Sequence, residues 1–191
     1  MRKAATVDFF LGALSPAGFT GWFAQAAAED GQTAWLIKAG PGCGKSTLMR
    51  RLRDAAGDPP AGQYNERLHC SSDPASLDGV RLPGAAALFL DATAPHTLDC
   101  KYPGAAERVV SLYDALDNEA LARQSGQILA LGRRNADLMA RAAAHWALAC
   151  GLLARRRAEA ADLLDRDRLQ RYAARLAART MPPRRGAYRC S

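Results

Sequence analysis

Residues 39–46 read Ala-Gly-Pro-Gly-Cys-Gly-Lys-Ser, and so dense a run of glycine ending in Lys-Ser admits few local structures. Small residues let a loop turn its backbone N–H groups inward as a nest for an anion, and a helix starting there adds the positive end of its dipole. The apolar run Thr33 to Lys38 (T-A-W-L-I-K) predicts a strand before the loop. Leu48, Met49 and Leu52 predict one inner face of a helix from Lys45 to about Ala56, which Gly57-Asp58-Pro59-Pro60 stops. The segment matches the phosphate-binding loop pattern with Ala39 in place of its first glycine and Thr47 extending it. Gly40, Pro41, Gly42, Cys43 and Gly44 would then wrap a nucleotide's phosphates. Lys45 would bridge the β- and γ-phosphate oxygens, and the Ser46 hydroxyl would ligate Mg²⁺. ATP is favoured over GTP, because no Asn-Lys-x-Asp string is present.

A second carboxylate is required to hold the metal through water, at the C-terminal end of a strand beside the loop strand. Asp91, directly after the apolar run Ala86 to Leu90, meets that requirement. Tyr64 to Cys70 reads as another strand and Val80 to Leu82 as a brief extended piece. Together they predict an α/β domain, the P-loop NTPase three-layer α/β/α arrangement with a mostly parallel sheet. Ligands bind such sheets beyond the strand ends, so His69, Ser71, Asp73 and His96, which follow two of the strands, are candidate substrate or sensor residues.

Outside this core the signals change. Residues 1–16 read as irregular, and Phe19, Trp22 and Phe23 at i, i+3, i+4 predict an aromatic stripe on a short helix ending near Gly31. Strand signals vanish after about Ala105. Leu131, Leu138, His145 and Leu152 recur every seven residues, which predicts a long helix with one apolar seam. A second helix capped by Asp165 or Asp167 and carrying Leu169, Tyr172 and Leu176 on one face is expected to fold back as an antiparallel hairpin, ended by Pro182-Pro183. The predicted organisation is a nucleotide-binding core over 1–104, a helical region over 105–181 and a flexible tail over 182–191.

The net charge of +7 resides in residues 151–191, where Arg outnumbers acidic residues, and the first 150 residues are neutral overall. Mixed Arg and acid at helical spacing reads as a solvated face, with nucleic acid the less favoured alternative. The five cysteines form no Cys-x-x-Cys pair, which fits reduced thiols and a cytoplasmic location. Asp8, Pro16 and Gly18 break the N-terminal apolar stretch, against an export signal. The apolar run Ala142 to Ala154 falls short of the about 20 residues that cross a bilayer, so no membrane association is expected.

Several strings resemble one family. Phe9-Phe10-Leu11-Gly12, the Gly-Pro-Gly-Cys-Gly-Lys-Ser-Thr loop, His69-Cys70-Ser71-Ser72-Asp73-Pro74, Ser76-Leu77-Asp78-Gly79-Val80, and Asp91-Ala92-Thr93-Ala94-Pro95-His96 with Tyr102-Pro103-Gly104 look like the amino-terminal half of an uncharacterised bacterial P-loop ATPase-like family. The resemblance is strongest over residues 9–104. It implies ATP binding without naming a reaction, and it implies a second P-loop half that would begin where this sequence ends.

The expected function is Mg-dependent ATP hydrolysis or phosphoryl transfer by positioning and charge neutralisation, with Lys45 and Asp91 as the catalytic pair. The alternatives are a small-molecule or nucleotide kinase whose acceptor is gripped by residues 69–73, a nucleic-acid-associated ATPase, and a non-catalytic nucleotide switch. The extended segments stop at Asp91, which predicts an incomplete sheet, and hence a homo-oligomer or a partnership with a second P-loop half.

Overall fold

The computed structural model describes residues 6–180. The tail over 182–191, with its double proline, lies outside them. In chain order the elements are β1 (Thr6–Phe9), the hairpin strands β2 (Gly12–Ser15) and β3 (Gly18–Gly21), α1 (Phe23–Ala27), β4 (Thr33–Lys38), α2 (Lys45–Ala55), β5 (Asn65–His69), β6 (Leu77–Leu82), β7 (Ala87–Asp91), β8 (Glu107–Ser111), α3 (Asn118–Arg123), α4 (Ser125–Asp162) and α5 (Arg166–Thr180). The chain divides within α4 into one unit up to Ala147 and another from Leu148.

The first unit is built on a six-stranded mixed sheet in the order β1-β5-β6-β7-β4-β8. β1 runs parallel to β5, and β4 runs parallel to both β7 and β8. β6 runs antiparallel to both of its neighbours, β5 and β7. This overturns the expected P-loop NTPase three-layer arrangement. A parallel connection needs a crossover of a dozen or more residues, usually a helix. β5 and β6 are joined only by residues 70–76, and β6 and β7 by 83–86, so each pair must be antiparallel. Helical cover is correspondingly thin: α2 packs on β6, and the five-residue α1 touches β7.

Strand alternation sorts the core into two layers. Ala34, Leu36, Leu68, Leu88 and Leu90 pack with Phe23 and Ala26 of α1. Ile37, Val80 and Leu82 pack with Met49 of α2 on the opposite side. The predicted strand, loop and helix around residues 33–55 are therefore present as a local unit.

Three further expectations are corrected. The N-terminal region is strand-rich: Phe19 lies on β3 and only Phe23 on a helix, although the two rings still meet at 6.1 Å. Trp22, expected on the same stripe, is 60% exposed. A strand does follow residue 105, because β8 pairs with β4 and forms an edge; with β1 and a longer β6 it brings the sheet to six strands, so the expectation of missing strands does not hold.

The long helices form where the periodicity places them, and the Asp165 carboxylate accepts the Arg168 N–H at 2.9 Å as the cap of α5. Large apolar side chains on both remain exposed. Leu152, Leu169, Tyr172 and Leu176 are between 47% and 71% exposed, so the expected hairpin is not a packed one. No helix among the described residues is long and apolar enough to cross a membrane.

Candidate phosphate-binding loop and its carboxylate–histidine cluster

The loop between β4 and α2 is held open by glycine. Gly42 (φ 76°) and Gly44 (φ 81°) occupy the left-handed region, where a side chain is disfavoured, and Gly44 is the N-cap of α2. The first amides of that 11-residue helix have no intrahelical acceptors and are available to an anion. Cys43 contributes backbone to the turn, its N–H directed to Gly40 O at 3.4 Å and its Sγ to Pro41 O at 3.7 Å. Thr47 is exposed.

Lys45 folds back over the loop. Its Nζ donates to Ala39 O at 2.8 Å and Gly40 O at 2.9 Å, and it lies 3.4 Å from Asp91 Oδ2. The Ser46 hydroxyl accepts the Leu77 N–H at 3.0 Å, fastening the start of α2 to the start of β6. The sequence puts Lys45 and Ser46 at the loop and helix start and Asp91 at the end of a neighbouring strand, and the structure brings Lys45 to Asp91.

Asp91 is the last residue of β7 and is buried. Its Oδ1 accepts the Thr93 N–H at 3.0 Å and also the Thr93 hydroxyl. Burial by itself raises a carboxyl's pKa; around Asp91 the His96 ring, the two Thr93 donors and the Lys45 cation outweigh it and hold the group below the usual range.

His96 and Asp78 complete the cluster. The His96 ring stacks on Phe23, centroids 4.3 Å apart and planes 4° from parallel, with Phe19 at 5.9 Å. Its Nε2 lies 3.8 Å from Asp91 Oδ2, and neither ring nitrogen has a hydrogen-bond partner among the described residues. Asp78 was not foreseen as a site residue. The pairing of Gly79 with Leu90 sets it beside Asp91, and it reaches the loop end of the sheet only because β6 runs backwards. Burial pushes its carboxyl upward. The one signal in the sequence was an acidic residue, followed by glycine, between the apolar Leu77 and Val80.

The other candidates divide. His69 is committed to structure: Nε2 meets Asp8 Oδ1 and Nδ1 meets Pro74 O, each at 2.7 Å. Asp8, also gripped by both Arg67 donors at 2.7 Å, is pulled down to about 2, chiefly by the Arg67 hydrogen bonds and then by His69. Asp73 accepts the Ala75 N–H at 3.2 Å and shapes the turn before β6. Ser71 lines a cavity of about 530 Å³ whose wall also includes Phe19, Cys70, Asp78, His96 and Met139.

Neither a protein-family model, nor a curated protein, nor a solved structure matches this chain.

Proposed function

We propose that this chain binds ATP with Mg²⁺ through residues 40–47 and hydrolyses it or transfers its terminal phosphoryl group. The observation that carries the reading is the strand–loop–helix unit with left-handed Gly42 and Gly44, a free helix start, and Lys45 poised over the loop beside Asp91. Loop amides and the start of α2 would orient the β-phosphate. Lys45 would exchange the Ala39 and Gly40 carbonyls, its present partners, for phosphate oxygens, which gain more from its charge than neutral carbonyls do.

The donor set fits a hard cation. The Ser46 oxygen keeps a lone pair after accepting from Leu77, and Asp91 is held as a carboxylate. Ser46 and Asp91 would hold Mg²⁺, whose chemistry is to neutralise charge on the phosphates. Calorimetric titration of ATP into the purified chain with and without Mg²⁺, beside phosphate release, tests the reading. Absence of both binding and turnover would sink it.

A second reading, phosphoryl transfer to a small acceptor, is favoured by the cavity lined by Ser71, Asp78 and His96. It predicts ATP consumption that depends on an added alcohol or nucleoside, whereas a simple ATPase turns over with water alone.

A further inference from the structure

Asp78, Asp91 and His96 come together from three places in the chain that the nucleotide reading does not use as a set. The β6–β7 register fixes the two carboxylates side by side, and the loop after β7 returns His96 to them. One ligand atom from each lies within 4.8 Å of the others. His96 is 9% exposed and its side chain 6%, and both ring nitrogens are buried without a hydrogen-bond partner among the described residues. Buried imidazoles ordinarily donate one N–H and accept at the other nitrogen. This ring instead lies flat on Phe23 with Nε2 3.8 Å from Asp91 Oδ2, too far for a hydrogen bond.

We propose that Asp78, Asp91 and His96 form a site for a divalent transition-metal ion of the Mn²⁺, Co²⁺ or Zn²⁺ class, filled without nucleotide. An imidazole nitrogen with two carboxylates suits these ions, whereas Mg²⁺ prefers oxygen throughout and keeps its waters. Bonds of about 2.0–2.1 Å bring tetrahedral ligand atoms to about 3.3 Å apart, so the observed spread closes by small side-chain rotations rather than by moving strands. Three protein ligands leave a position for water. Asp78 and His96 also line the cavity, so that water would face the space open to an acceptor. The site shares Asp91 with the nucleotide reading but does not depend on it: a chain that bound no ATP would still take the ion.

The test uses the full chain without an affinity tag, stripped with chelator and free of nucleotide, titrated with Co²⁺ and followed by visible absorption and calorimetry. One Co²⁺ per chain at micromolar affinity or better is expected. Excess Mg²⁺ should not displace it, and Zn²⁺ should. His96→Gln and Asp78→Asn should each weaken binding by about tenfold or more. Asp78→Asn keeps the side chain's size and removes its repulsion with Asp91, so it should fold normally and remains informative if His96→Gln does not fold. Lys45→Ala, which removes the cation contending for Asp91, should retain Co²⁺ binding even where ATP binding is lost. The proposal is overturned if the stripped chain takes no Co²⁺, or if a folded Asp78→Asn binds it as tightly as the parent.

Discussion

Lys45 Nζ and Asp91 Oδ2 lie 3.4 Å apart with side chains only 11% and 12% exposed, so the pair sits largely away from solvent, where the Lys45 cation helps to keep Asp91 ionised. The amine spans the end of β4 and the start of α2, and the carboxylate closes the neighbouring strand β7. A ligand that draws Lys45 outward must therefore leave Asp91 with another cation. That coupling makes a metal a natural companion of an anion at this loop.

Removal of the amine should be felt in both binding and stability. Lys45→Ala is expected to weaken ATP binding by at least tenfold, about 1.4 kcal/mol, measured by titration calorimetry. It also strands a buried carboxylate, so the ligand-free melt should fall by an amount corresponding to about 1–3 kcal/mol. Unchanged ATP affinity would remove the loop from the proposed site.

Asp91→Asn separates chemistry from folding. The amide oxygen can still accept the Thr93 N–H and hydroxyl, and losing one charge relieves Asp78 while depriving Lys45. The melt should stay within a few degrees of the parent, while Mg-dependent phosphate release drops by about 10²-fold or more. Simultaneous loss of fold and turnover would make Asp91 structural.

What the sequence disclosed follows from how local each signal is. The glycines, Lys45 and Ser46 are contiguous, and their geometry is set by backbone preferences and one helix start, so both loop and helix could be read directly. β7 was legible because its residues are buried on both faces and form an unbroken apolar run. β8 was not: Glu107-Arg108-Val109-Val110-Ser111 lies at the sheet edge with Val109 54% exposed, and its strand character comes from pairing with β4. Asp78 was hidden for a similar reason. Its role depends on the direction of β6, which the short linkers decide only once β5 and β7 are known to be its neighbours. His69 shows the opposite limit: its place after a strand suggests a ligand group, while the hydrogen bond its Nε2 makes with Asp8, distant in sequence, could not be read.

Asp8 gives the molecule an acid-sensitive clasp between β1 and β5. Its folded-state pKa is about 2 against 3.8 for the free carboxyl, so its contribution to stability is complete above pH 3.8 and is lost as pH falls through 2. Asp8→Asn should be less stable than the parent near neutrality, by about 1 kcal/mol or less because the carboxylate is half exposed. Urea unfolding of both proteins between pH 2 and 6 should show that difference shrinking on the acid side alone. A constant difference across the range would mean that the carboxylate charge is not what binds β1 to β5.

Gly79 tests the register on which the metal proposal rests. It lies mid-strand in β6, opposite Leu90 on one side and Leu68 on the other. A Cβ there would stand 2.8 Å from both Leu68 Cδ1 and Leu90 Cδ2 and 2.9 Å from the Phe89 carbonyl oxygen. The leucine ends can rotate away, but the carbonyl belongs to the β7 backbone and can move only with its strand. Gly79→Ala should therefore cost about 1–3 kcal/mol and lower the melt by several degrees. Because the same strands carry Asp78 and Asp91, Co²⁺ affinity should fall with it. Gly84→Ala supplies the control, its nearest neighbours being 3.7 Å away, and should melt close to the parent. Equal melts for both variants would mean that β6 and β7 do not meet in the register that sets Asp78 beside Asp91.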